Sequence, residues 1–351
     1  MLKCIELVFS RIGEVLDIID KLIEMNCISR RHVIIRGGNR LLIPVSGECD
    51  VDEIKGLREF RIVECNPKVL NVRGYRLREL VREFFGDEVA IHVPSSFDIV
   101  NGIALIPLRD EGLKYAKVIA YCLTLIHRNV KSVYVKGAVR GFERVRELKL
   151  VYGEPIYEVI HKEHGIKFYV NVGKVYFNPR LSTEHSRISS FVRDGEVVLD
   201  MFSGIGCFGI HIASKNNSIV YSVDINPYAV YYGLKSLKIN RLKGKVIFIN
   251  CDARLLDKVF KGRIFDRIIM NLPHNALDYL DIAFKLVKIN GTIHLYLIAH
   301  SEEEALNMFT AKTNALGFSC SDIGIRWVLD HAPHEYIYCI DCVGVRAMNT
   351  A

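Results

Sequence analysis

The residues best equipped for chemistry lie after residue 180, at the ends of short apolar runs. The first group is Asp200-Met-Phe-Ser-Gly204-Ile-Gly206-Cys-Phe-Gly209. Glycines let such a turn approach a ligand closely and expose backbone N–H groups. Asp224 ends Tyr221-Ser-Val-Asp, where a carboxylate accepts both hydroxyls of a ribose. Asp252 follows Phe248-Ile-Asn-Cys and is placed to reach an adenine amino group. Asn271-Leu-Pro273 follows a fourth apolar run, where a base amide or imide can be held. The glycine spacing also fits a dinucleotide loop, with an acid about 18 residues later. Asp200, four residues before Gly204, suits a cationic methionine moiety better than a pyrophosphate. In register, these features predict an S-adenosyl-L-methionine site at Asp200, Phe202, Gly204, Gly206, Asp224, Ile225, Asp252, Ala253 and Asn271.

Elements that alternate regularly must position these residues. Val197 to Met201, Ile219 to Val223, Val246 to Asn250, Arg267 to Met270 and Thr292 to Ile298 read as strands. Helices are expected at Cys207 to Ala213 and at Pro227 to Lys238, whose proline costs nothing near the helix start. Near-continuous apolar strands alternating with helices mean a parallel, doubly wound sheet, with ligands at its carboxyl-terminal strand ends.

The chain before it is less regular. Ile12 to Met25 carries one apolar helical face (Ile12, Val15, Leu16, Ile19, Leu22, Ile23), and His32 to Val45 reads as a hairpin around Gly37-Gly38-Asn39. A helix over Asp50 to Phe60 and a strand over Arg61 to Glu64 follow. Next come a helix from Tyr75 to Phe85, strands at Val89 to Val93 and Ile99 to Leu108, and a helix from Glu111 to His127. Tyr157 to Phe177 looks like a hairpin turning at His164-Gly165. The expected class is α/β: a Rossmann-like class I methyltransferase sheet at the carboxyl terminus, preceded by two smaller α+β domains. Boundaries fall at residues 1–65, 66–180 and 181–351.

With 351 residues, half of them hydrophobic, the chain can bury several cores. No apolar run approaches the roughly 20 residues that span a bilayer, and the start does not read as a signal peptide. A cytoplasmic, monomeric protein is the expectation. The ten cysteines are scattered and read as reduced, small core residues; only Cys339 and Cys342 form a C-x-x-C pair. No metal site is read, and His161 and His164 are assigned to a surface turn. The net charge of +7 is concentrated in two stretches, Lys68 to Arg82 and Arg128 to Lys149. Charge runs often mark only solvated faces, but two ahead of a catalytic sheet favour a polyanionic partner, nucleic acid.

On these residues the chain resembles the archaeal and eukaryotic tRNA (guanine-N1)-methyltransferases acting at position 37. The signatures are Phe97-Asp-Ile-Val-Asn-Gly-Ile-Ala, His161-Lys-Glu-His-Gly165, Val175-Tyr-Phe-Asn-Pro-Arg-Leu-Ser-Thr-Glu184, the Asp200 loop and Asn271-Leu-Pro273. The resemblance implies a tRNA partner, contacted by a small amino-terminal domain. It also implies Glu184 as the base for the N1 proton, Arg144 (or the nearby Arg146) as stabiliser of charge on O6, Asn271 on the base edge and Pro273 shaping the pocket. On sequence pattern alone, Glu184 is equally a first-turn helix acid, Arg144 a phosphate-binding or solvated arginine, and Asn271 a helix cap. The chain departs from the family pattern at Ser203 (usually alanine), Cys207 (proline), Gly209 (serine) and His185 (arginine). Rival readings are a wybutosine-pathway enzyme modifying the same nucleoside, a tRNA-binding protein without catalysis and, more remotely, a nicotinamide oxidoreductase.

Overall fold

The structure, a computed structural model, describes residues 1–47, 49–54, 59–140 and 145–348. Contacts divide the chain into two compact units: Met1–Ala138 with Glu147–Ile156, and Val139–Arg146 with Tyr157–Ala351.

The first unit holds two four-stranded sheets. β1 (Leu2–Val8), β2 (Ile35–Gly37), β3 (Arg40–Pro44) and β4 (Arg61–Cys65) pair antiparallel in the order β2-β3-β1-β4. Helix α1 (Leu16–Glu24) follows a 3-10 turn over Ile12–Val15, and all six residues of its expected apolar face are buried. Of the helix expected over Asp50 to Phe60, a 3-10 turn at Val51–Ile54 is described, and residues 55–58 lie outside the described residues. Helix α2 (Leu77–Phe85) ends at Gly86, whose φ of 86° suits only glycine.

The strand expected over Val89 to Val93 is instead the short helix α3 (Asp87–Ala90). Asp87 and Glu88 favour its amino terminus, and Val89 and Val93, four apart, are both buried. A spacing of four fits a helix face as readily as a strand face. Strands β5 (Asp98–Val100) and β6 (Ile103–Ile106) turn at Asn101-Gly102, both with positive φ. Helix α4 (Ala116–Ile126) then leads to β7 (Ser132–Arg140) and β8 (Val145–Gly153), giving the order β5-β6-β7-β8. One apolar core joins α1, α2 and α4 to both sheets.

The second unit adds the hairpin β9 (Glu158–Glu163) and β10 (Ile166–Asn171). His164 and Gly165 turn it with φ of 46° and 91°, the positive pair of a two-residue hairpin loop. Helix α5 (Ser182–Phe191) leads into β11 (Val197–Asp200), α6 (Cys207–Lys215), β12 (Ile219–Asp224), α7 (Pro227–Leu237) and β13 (Lys245–Asn250). There follow α8 (Leu256–Val259), β14 (Phe265–Met270), α9 (Leu280–Leu286), β15 (Val287–Ala299), α10 (Glu302–Ala315), β16 (Phe318–Ala332) and β17 (Glu335–Ala347). The seven-stranded sheet runs β13-β12-β11-β14-β15-β17-β16. Its first five strands are parallel, and β17 lies antiparallel between β15 and β16. Strand order reverses beside β11, so a crevice opens at the carboxyl ends of β11, β12 and β14. This is the Rossmann-like sheet expected from the alternating pattern.

Six of the ten cysteines form disulfides, Cys4–Cys65, Cys27–Cys49 and Cys320–Cys342, which corrects their reading as reduced core residues. The first and third join neighbouring strands, Cys4 on β1 to Cys65 on β4 and Cys320 on β16 to Cys342 on β17, although Cys4 stands opposite Val63 and Cys320 opposite Val345 in register. Cys339 cannot bridge Cys342 along one strand, because residues three apart face opposite sides. It stays free, as do Cys122, Cys207 and Cys251. No helix among the described residues is long and apolar enough to cross a membrane.

Candidate active site

A cavity of about 500 Å³ opens at the reversal point of the sheet. Its floor is the loop after β11. Gly204 and Gly206 take φ of 54° and 80°, and a Cβ on Gly206 would collide with the Phe248 ring. The loop is tied to the next strand: Gly204 N–H donates to Asp224 Oδ2 at 2.7 Å, and Asn226 N–H donates to Oδ1 at 2.8 Å. Asp224 is thereby fixed at the lip of the cavity. Asp252 caps the 3-10 turn after β13 by accepting from Arg254 N at 2.9 Å, and hydrogen bonds from the Arg254 side chain hold its carboxyl below the ordinary value.

Asp200 differs from both. It is fully buried beside the cavity-lining Met201 and Phe202, and neither carboxylate oxygen meets a hydrogen-bond partner among the described residues. Burial, and then the charge of Asp224, push its carboxyl well above the usual range. An orphaned buried carboxylate is costly unless a cationic group approaches it. The carboxylates of Asp200, Asp224 and Asp252 thus fit a ligand with a positive end, a diol and an exocyclic amine.

The structure brings Phe202, Gly204, Asp224, Ile225, Asp252, Ala253, Asn271 and Pro273 onto the wall of this one cavity. Asp200 and Gly206 belong to the same loop but do not line it. The Asn271 side chain makes no hydrogen bond to a described residue, and the turn after it is capped by no side chain, so Asn271 is not a helix cap. Arg146 lines the cavity, whereas Arg144 lies outside the described residues.

Glu184 sits in the first turn of α5 but not on the cavity wall. Its carboxylate accepts from Arg187 Nη2 at 2.6 Å and Nε at 2.8 Å, and from the Tyr296 hydroxyl at 2.7 Å. Burial raises its pKa, but the Arg187 and Tyr296 hydrogen bonds outweigh that and hold it below the ordinary value. Arg187 reaches on to Asp341, 2.6 Å away, and Asp341 to His294. Glu184 is therefore ionised, as a base must be, and engaged in a buried ionic network.

Several wall residues were not anticipated. Tyr176, Phe177 and Asn178 stand in a motif already singled out, without a role read for them. His274 directly follows Pro273, and the position alone marked it. His331 and Ile337 come from β16 and β17 and carry no sequence signal; the His274 and His331 rings meet edge to face at 5.0 Å.

A class I, Rossmann-like methyltransferase domain is what this sheet order and strand-end cavity define. The model of the TRM5/TYW2 methyltransferase domain matches residues 159–321, and that of the TYW2 N-terminal domain matches residues 77–156. The tRNA (guanine(37)-N(1))-methyltransferase Trm5b of Pyrococcus abyssi is 36% identical over 92% of this chain and 93% of its own. Trm5 of Methanocaldococcus jannaschii in complex with adenosine is 30% identical, with a TM-score of 0.64 over 98% of this chain and 99% of that one. The aTrm5 chain solved with tRNALeu is 31% identical, with a TM-score of 0.66 over 97% and 99%. The chain belongs to the tRNA (guanine(37)-N(1))-methyltransferase family.

Proposed function

We propose that the protein transfers a methyl group from S-adenosylmethionine to N1 of guanosine 37 in tRNA. The observation that carries this is the orphaned Asp200 carboxylate beside a cavity walled by Asp224, Asp252 and Asn271-Leu-Pro273. When bound, S-adenosylmethionine supplies a methyl group on a sulfonium that leaves as a neutral thioether. Asp200 faces its cationic end, Asp224 the ribose and Asp252 the adenine. Asn271, whose side chain makes no hydrogen bond among the described residues, holds the guanine edge, and Pro273 shapes the wall beside it. N1 of guanine is a poor nucleophile until its proton leaves. Glu184 takes that proton, exchanging part of its pairing with Arg187 for the N1–H; a positioned base contributes about 10²–10⁴-fold. Charge growing on O6 is met by a guanidinium of the Arg144 to Arg146 segment, of which Arg146 lines the cavity.

The two basic stretches and the small amino-terminal domain supply the surface for tRNA. The protein acts as a cytoplasmic monomer, in a compartment where disulfides such as its three are uncommon.

Incubation of the full chain with S-adenosylmethionine and unmodified tRNA transcripts carrying guanosine 37, followed by nucleoside mass spectrometry, tests the reading. N1-methylguanosine is expected. An aminocarboxypropyl product, or activity only on a tricyclic guanosine, moves the protein to the wybutosine branch of the same family. Absence of product despite cofactor binding refutes the substrate.

A further inference from the structure

Beside the cavity, three buried side chains from three elements converge. Glu163 ends β9, His185 lies on α5 and His211 on α6, and each is less than 5% exposed. Glu163 Oε2 stands 2.8 Å from His185 Nδ1 and 3.2 Å from His211 Nε2, and the three atoms lie within 4.8 Å of one another. Cys207 begins α6 one turn before His211, so the two share a helix face. Cys207 is also buried, and with His185 it lines the cavity.

The charge balance of this cluster is incomplete. Glu163 has no lysine or arginine partner among the described residues; its ion pairs are all with histidines. Its second oxygen, Oε1, has no hydrogen-bond partner. Placing an extra proton on His211 does not repair this, because Nδ1 of that ring is buried and faces no acceptor. Phe208 and Phe168 pack against the two imidazoles. Two imidazole nitrogens and a carboxylate oxygen within 4.8 Å of one another form a donor set for a divalent metal.

We propose that Glu163, His185 and His211 bind one Zn²⁺. Two imidazoles and one carboxylate select a borderline-soft ion over magnesium or calcium. Tetrahedral bonds of about 2.0–2.3 Å require the 2.8 Å contact to open by about half an ångström. The metal joins the β9–β10 hairpin to α5 and α6, and so fixes the His185 and Cys207 side of the cavity.

Tag-free full-length protein is incubated with Zn²⁺, desalted and analysed for metal; Co²⁺ is then substituted and its visible and near-ultraviolet absorption recorded. About one equivalent of tightly held zinc is expected, with a tetrahedral cobalt spectrum that lacks a thiolate band. His211→Ala should bind zinc at least about tenfold more weakly. His185→Arg guards against misfolding, since its guanidinium can pair with Glu163 directly; circular dichroism should show it folded, without bound zinc. Wild-type protein that retains no zinc overturns the proposal. So does zinc that survives in both His185→Arg and His211→Ala.

Discussion

Replacing Asp200 by asparagine separates the cost of a buried charge from its use. In the free protein the carboxylate is fully buried, unpartnered and close to Asp224. Burial raises its folded pKa above the unfolded value of about 3.9. The sign follows from linkage: its contribution to stability is complete below the unfolded value and is lost as pH rises through the folded one. Asp200→Asn keeps the shape and removes that loss. An uncompensated buried polar group costs about 1–3 kcal/mol. Because the amide is still polar, the gain is set at the lower end, about 1 kcal/mol, or about 2–4 °C in Tm for a domain of this size.

The same substitution removes the partner for the positive end of the cofactor. A hydrogen bond to a charged group contributes about 1.5–3 kcal/mol, so affinity for S-adenosylmethionine should fall about 10–150-fold. Thermal melts from acid to neutral pH, with and without cofactor, read the first effect, and titration calorimetry reads the second. In the wild type the fall in Tm with rising pH should shrink when cofactor is present, and in Asp200→Asn it should be small throughout. A variant that melts lower than wild type and binds cofactor equally well would refute both halves of the reasoning.

Other perturbations test separate parts of the site. Arg187→Met leaves buried Glu184 and half-buried Asp341 without their shared cation, which should cost about 3–5 kcal/mol and raise the Glu184 pKa, moving the acid limb of kcat/KM upward; an unmoved limb removes Glu184 as base. Glu184 and Asp341 both titrate below their ordinary values, so their stabilisation is present above about pH 4 and lost as pH falls through the folded values, which acid melts can follow. Gly206→Ala forces a side chain onto Phe248 at positive φ, and a loss of about 1–3 kcal/mol should appear in denaturant titration. Alkylation of unfolded, unreduced protein should modify four cysteines, and all ten after reduction; closing loops of 22 and 61 residues stabilises by about 3–4.5 kcal/mol each, so an unchanged Tm on reduction contradicts the pairing.

Much of this site was legible because its carboxylates sit at strand ends. An apolar run that stops at Asp200, Asp224 or Asn250-Cys-Asp252 announces both the strand and where its ligand face begins, and the fold places those ends on one edge. What was hidden depends on pairing between distant segments. Tyr296 holds Glu184 across 112 residues of sequence, and β16 and β17 bring His331 and Ile337 to the cavity through sheet register alone. The Cys320–Cys342 bridge likewise joins two neighbouring strands, whereas the more conspicuous Cys339-x-x-Cys342 lies along one. The misread strand at Val89 to Val93 has a local cause, since two valines four apart satisfy both periods and only Gly86 marked a new helix start.

Helix α5 shows why the candidate base and its departing neighbour have to be considered together. Glu184 and His185 are consecutive, so they point about 100° apart around the helix axis. Glu184 enters the network of Arg187, Tyr296 and Asp341, while His185 faces Glu163 and His211. Two buried ionic clusters therefore hold α5 from different sides, and either one can set its rotation. The first keeps the Glu184 carboxylate ionised; the second fixes a side chain on the cavity wall. Substitution in the Glu163 cluster should therefore disturb proton abstraction without touching Glu184, through the angle at which α5 presents it. A shift in the pH dependence of the rate in His211→Ala, with Glu184, Arg187 and Tyr296 all intact, is the signature of that coupling, and an unshifted profile would mean that Arg187 and Tyr296 alone set the orientation of the base.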